Sequence, residues 1–427
     1  MTFCYRGGYV HGNKYFIDED ITSKIIGVDF TSSYPASMLY RKYGQKWRKC
    51  YNIKTISDIH NAYDNNRATM FIMTLYDVKS KGAHSIESKS KCIELDNAII
   101  DNGRVSSCDK MTVYLTMLDL FNYERFYTWS NYEIYNVSIS NMDYLPPYLL
   151  QPMLSYYSLK NELKSKHLDD TIEYKLAKSK VNSFYGLSVK RIPLDRVMYI
   201  DGTWKTADAT SYEKQVEKKA LVPFYGIFIS AWSRYALLQT LADIEFVAGA
   251  NAYYMDTDSI KADDTPAVRK IINDYNAKIN AEFDEAKKRT GCSEFVRGLG
   301  EFDYEFGENS KNGIVKRLKV LGAKRYMIDS EREQLQTIAG LPKGWIFDAV
   351  KDKDNVYYGQ DPFEVFNNNM NAKQCKLTTK YIDTPFTYTV TDYDGVTVDI
   401  FEKSCVSLVE TDFNMKLDET WLEMLED

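Results

Sequence analysis

A chain of 427 residues, 44% hydrophobic and 27% charged, is long and apolar enough to bury a large core, which excludes a disordered tail or a fibrous repeat. Its net charge of −6 argues against a protein that coats nucleic acid through bulk positive charge. The seven cysteines show no C-x-x-C pair and no zinc spacing with the four histidines, so neither a disulfide framework nor a structural metal is expected.

The opening MTFCYRGGYV lacks the form of a signal peptide and no stretch reaches the length of a membrane-spanning helix, which predicts a soluble, cytoplasmic protein with no membrane partner. In chain order, IIGVDF (25–30) reads as a buried strand that delivers Asp29 to its edge. TSSYP then turns the chain, with Pro35 at the first position of a helix through ASMLYRKYG that Gly44 ends. Residues 50–145 are mixed, with short strand-like pieces such as ATMFIMTLYDV and NYEIYNVSIS, and Pro146-Pro147 marks a boundary. Two helices follow, 151–168 and 170–186, the second opened by an Asp170/Glu173 capping box. After a polar, strand-prone segment, PFYGIFISAWSRYALLQTLADI reads as a buried helix, YYMDTDSIK as a hairpin, 266–290 as an amphipathic helix and 299–329 as strands. Asp394-Gly395 between alternating segments signals another hairpin. Helices and strands mix without regular alternation, so the fold class is α+β.

Three stretches carry chemistry. In YYMDTDSIK (253–261), Asp256 and Asp258 stand two apart, which suits either a plain hairpin turn or two carboxylates converging on a cation. Oxygen ligands of this kind suit Mg²⁺ or Mn²⁺ completed by substrate phosphate. In KSKVNSFYG (178–186), helical spacing groups Lys178, Asn182 and Tyr185 on one face and sets Ile172, Leu176 and Phe184 broadly opposite as core, leaving a solvated face or a triphosphate-binding one. In DFTSSYPAS (29–37), an acid at a strand end precedes a turn into a helix, whose backbone N–H groups can cradle an anion. Two runs, Arg41–Lys49 and Lys311–Tyr326, are basic without an acid, and frequent tyrosine offers flat stacking faces.

In order, DFTSSYP, KSKVNSFYG and YMDTDS resemble the D-x-x-S-L-Y-P, K-x-x-x-N-S-x-Y-G and Y-x-D-T-D-S motifs of family B DNA polymerases. KRY (324–326) is similar to that family's K-x-Y element, and CYRGGY (4–9) to the Y-x-G-G element of the protein-primed branch of bacteriophages and linear plasmids. The resemblance spans residues 5–326, with Ser33 where the family usually has Leu.

It implies a right-hand fold: a linker element at 1–20, palm at 21–50 and 223–344, fingers at 151–186 and thumb at 345–427. Two branch-specific insertions, 51–150 and 187–222, would serve a terminal protein and processivity with strand displacement. It implies a DNA-directed DNA polymerase using primer-template DNA, deoxynucleoside triphosphates and two Mg²⁺ or Mn²⁺ ions. Asp29, Asp258 and the Phe30 carbonyl would hold metal, with Asp256 as a supporting carboxylate. Lys178 would neutralise the triphosphate and act as general acid. Ser32, Ser33, Tyr34, Asn182 and Tyr185 would line the nucleotide, Tyr34 excluding a 2′-hydroxyl. Tyr5, Gly7, Gly8, Ser183, Gly186, Lys324 and Tyr326 would contact DNA, and Lys160, Lys164 and Lys166 would add phosphate contacts. Because the chain opens at the linker element, the proofreading exonuclease is expected to be missing or supplied as a separate chain, in the host cytoplasm if phage-encoded. A catalytically inactive DNA-binding or priming scaffold is the alternative.

Overall fold

Alternating apolar and charged residues build the sheet on which the acids lie. In the computed structural model, which describes residues 4–188, 196–200, 203–207, 223–292, 298–367, 369–382, 386–391, 397–402 and 405–415, five antiparallel strands pair in the order Val10–Gly12, Ala252–Asp256, Ser259–Asp263, Ile25–Phe30, Phe302–Phe306. Ile26, Val28, Met255, Ile260 and Ala262 project into one core. Successive strand residues point to opposite faces, so Gly27, Asp29, Asp256, Ser259 and Lys261 share the other face. The helix Pro266–Thr290 sends Val268, Ile272, Ile279 and Phe283 into the same core; Thr265 caps it and Gly291, left-handed, ends it.

A larger antiparallel sheet is built from Lys42–Gly44, Asn131–Tyr144, Arg67–Ser80, Arg104–Thr116 and Cys92–Asp96, with shorter strands beside them. The segments read as short pieces are two 14-residue strands, because Arg67–Ser80 is paired along both edges and a bulge near Asn136 lets its neighbour Asn131–Tyr144 bend without ending. The helix Pro223–Ala242 is buried on nearly every side, as its continuous apolar run predicts.

Several local expectations are corrected. The first helix spans Ser33–Tyr40, so Pro35 is its third residue, and it ends at Arg41 because Lys42–Gly44 joins the large sheet. The helical pair is Pro147–Ser165 and Ile172–Ser188. Thr171 opens the second helix by accepting from Tyr174 N–H at 3.3 Å, in place of an Asp170/Glu173 box. Its core stripe is Ala177, Val181 and Tyr185, whereas Ile172 and Leu176 are 72% and 56% exposed. The packed face lies about one residue round from the expected one, and Tyr185 turns inward while Lys178 and Asn182 stay exposed.

The chain divides into two compact units, one of residues 1–190, 221–335 and 417–427, the other of 191–220 and 336–416. The second contains the strand pairs Arg196–Ile200 with Thr203–Ala207, Asn371–Ile382 with Cys405–Asn414, and Phe386–Thr391 with Thr397–Glu402. The last pair flanks Asp394-Gly395, and that tip lies outside the described residues, as does most of 187–222. Among the described residues no helix is long and apolar enough to cross a membrane.

Candidate active site

The acidic hairpin folds back in two residues. Asp256 pairs with Ser259, and Thr257 between them takes a left-handed backbone with φ of 57°. For a β-branched residue that conformation stores about 1–3 kcal/mol of strain. The turn sets Asp258 beside Asp29: Ser259 is Asp29's cross-strand partner, and Phe30 N–H donates to the Asp258 carbonyl at 2.8 Å. Neither the Asp29 nor the Asp258 carboxylate has a hydrogen-bonding partner among the described residues. Burial, then the Asp258 charge, pushes the Asp29 carboxyl up to about 8; burial, then Asp256, pushes Asp258 up to about 6. Two half-buried carboxylates set side by side, each raised by burial and by a neighbouring acid, favour a proton or a cation between them, and this donor set fits a divalent ion. No three His, Cys, Asp or Glu side chains among the described residues close a metal site alone, so a bound ion would take further oxygens from substrate or water.

Asp256 faces a different partner. The Lys324 ammonium contacts its Oδ1, the Thr257 hydroxyl donates to the same oxygen at 3.2 Å, and Tyr254 donates to Oδ2 at 3.4 Å. Lys324 itself has φ of 59° at the turn between Val315–Gly322 and Arg325–Ser330. Tyr326 is buried against Tyr254, ring centroids 4.6 Å apart.

The helical pair brings cations to the turn before the first helix. Ser32, left-handed at φ of 56°, accepts from Lys160 Nζ at 3.1 Å. Burial, then the neighbouring Lys164 and Lys178, lowers the Lys160 ammonium to about 8. Three lysines that raise one another's energy make a site for an anion. Lys166, by contrast, is engaged by Glu162 at 2.6 Å on the helix surface. Tyr34 stacks on Tyr185 with centroids 4.1 Å apart, and the Tyr185 hydroxyl shares a hydrogen bond of 2.6 Å with Tyr5. Ser33 bonds Ser233 at 2.6 Å and Ser183 donates to the Ser179 carbonyl, while Asn182 and Gly186 are exposed.

Gly8 lies against the acidic tip: a Cβ there would stand 2.5 Å from Thr257 Cγ2. The segment is pinned by buried charges that sequence reasoning missed. Arg234, inside the buried helix, donates to the carbonyls of Arg6 and Gly7 and pairs with Asp119 at 2.7 Å. Arg6 grips Glu87 through Nε at 2.9 Å and Nη2 at 3.1 Å. An arginine within PFYGIFISAWSRYALL was the available signal, since a charge in a helix buried all round needs a partner. Glu305 and Lys261 were missed as well, because a charged residue alternating in a strand reads as solvent-facing. Both lie on the acidic face, and both act on Asp29 and Asp258.

No family model and no curated protein sequence matches the chain. Solved structures do. Phi29 DNA polymerase complexed with primer-template DNA and incoming nucleotide aligns at a TM-score of 0.61 and 17% identity, over 97% of this chain and 62% of that one. The same polymerase with single-stranded DNA aligns at 0.59 and 17%, over 97% and 61%. The chain therefore spans about 62% of the length of the first of these structures. With the acids, the lysines and the tyrosine stack placed as above, the chain has the fold of phi29 DNA polymerase over nearly its whole length.

Proposed function

We propose that the chain is a DNA-directed DNA polymerase that adds deoxynucleotides to a primer end by metal-assisted phosphoryl transfer. The observation that carries this reading is the pair Asp29 and Asp258, carboxylates without a hydrogen-bonding partner among the described residues, set side by side at a strand end and the adjoining turn. The shared fold and the lysines at the Ser32 turn support it.

Phosphoryl transfer asks a protein mainly for positioning and charge neutralisation. Asp29, Asp258 and the Phe30 carbonyl would hold two Mg²⁺, or Mn²⁺ in their place, which supply activation of the primer hydroxyl and charge for the departing pyrophosphate. Lys160 and Lys164 gather the triphosphate against the Ser32 turn. Lys178, exposed on the second helix, neutralises it and gives the leaving pyrophosphate its proton. Tyr34, fixed by its stack on Tyr185, excludes a 2′-hydroxyl, and Ser33 and Asn182 border the nucleotide. Tyr5, Gly7, Gly8, Ser183, Gly186, Lys324 and Tyr326 belong to the DNA path. On this reading 21–50 and 223–344 are palm, 151–186 fingers and 345–427 thumb, with insertions at 51–150 and 187–222. Initiation on a terminal protein is part of the same proposal, resting on the Tyr5–Gly8 element.

The test is extension of a labelled primer on a DNA template with Mg²⁺ and deoxynucleotides, beside Asp258→Asn. Extension that falls by about 10²–10³ in the variant supports the reading. Full extension by Asp258→Asn sinks it.

A further inference from the structure

The five strands of the acidic sheet contain a single lysine or arginine, Lys261. Its pairing partners are Gly27 and Tyr254, and the same registers put Asp29, Asp256 and Ser259 on its face, with Asp303 opposite Asp29. Asp258 stands at the turn, and Glu305 lies on Phe302–Phe306, one strand beyond Ile25–Phe30. Among five carboxylates the lysine is only 3% exposed. Its Nζ donates to Ser259 Oγ at 3.0 Å and lies 3.4 Å from Glu305 Oε2. Gly27 opposite it carries no side chain, and the space a Cβ would take there is filled by the Phe306 ring. Lys324, the other cation near these acids, is half exposed and engaged by Asp256, so water screens it. A buried ammonium is unscreened and is held only where charge repays its desolvation.

We propose that Lys261 is a positioning residue, a resident counter-charge that draws Glu305 over the sheet, balances Asp29 and Asp258, and sets how weakly the acidic face takes divalent ions. This rests on the polymerase reading for the identity of the ions. A fixed positive charge buried beside two carboxylates holds them together without an ion and opposes the ion when it arrives.

The test is Mn²⁺ binding to the DNA-free full chain, followed by electron paramagnetic resonance of the free ion. Lys261→Met is expected to bind Mn²⁺ about tenfold more tightly, because the opposing charge is gone. Lys261→Arg keeps the charge and is expected to stay within about twofold of the parent. Lys261→Gln, neutral but able to hydrogen-bond Ser259, carries the test if the methionine variant does not fold. A residue that merely supported the fold would give weaker binding on substitution, so the direction decides. Unchanged or weaker binding in the folded neutral variants, with Asp258→Asn abolishing binding, overturns the role of Lys261 alone. Binding that survives Asp258→Asn undisturbed overturns the metal site itself.

Discussion

Lys178 is the residue whose role is most exposed to test, since it makes no hydrogen bond or ion pair among the described residues. Lys178→Ala is expected to lower kcat for extension by about 10² while leaving primer-template affinity within about twofold, as single-turnover kinetics would show. A residue away from the acidic hairpin contributes to the response to alkali. Glu245 Oε1 stands 3.6 Å from Nε2 of the buried His84. Burial pushes the glutamate up to about 8, and burial followed by His11 pushes His84 down to about 3, so the contact is neutral and not an ion pair. The folded carboxyl lies above its unfolded value of 4.5, so its contribution is fully present below pH 4.5 and is lost as pH rises through about 8. Glu245→Gln, which mimics the protonated acid, is expected to match the parent at pH 4.5 and exceed it at pH 9 by on the order of 5 kcal/mol. Denaturant midpoints at the two pH values check the sign.

At the scale of elements, the acidic hairpin depends on a neighbour brought from far away in sequence. Gly8→Ala would drive a methyl into Thr257 and shift the tip, and a displacement near 1 Å at reacting groups costs about 10² in rate. Thr257→Gly removes both the obstruction and the left-handed strain, so the double variant is expected to recover most of the extension rate lost by Gly8→Ala. Arg234→Met leaves the buried Asp119 without its ion-pair partner, held only by Thr116 among the described residues, which is expected to cost about 3 kcal/mol in denaturant unfolding. These contacts also mark where sequence reasoning stops. The bounds of Pro266–Thr290 are written locally, in Pro and Gly punctuation, whereas Asp256 ends its strand and Asp258 lies in the turn, so strand alternation does not bring these two acids together. Nor is the packed face of Ile172–Ser188 written locally, because it is chosen by Tyr34 and Tyr5, residues more than a hundred positions away. Ile172 and Leu176 looked like core on periodicity alone, and no periodicity identifies the partner a helix will meet.

For the whole molecule, the polymerase reading has an acidic chain bind DNA through local cations, so affinity is expected to fall steeply with salt. Lys324→Ala should reduce the slope of log K against log salt by about one, measured by anisotropy of a labelled primer-template. The two long strands Arg67–Ser80 and Asn131–Tyr144 were the least legible part of the fold, since their length is set by mutual pairing across some sixty residues. The placing of Asp29 at a strand end was legible because IIGVDF is a short apolar run that stops at its acid. The strained turn of the acidic hairpin has a consequence for handling the protein. A threonine held left-handed by Gly8 and by the Tyr9 carbonyl relaxes as soon as that support loosens. Warming should therefore disarm the acidic tip while both sheets are still intact, giving a range of temperature in which synthesis stops, the circular dichroism is unchanged, and cooling restores the lost rate.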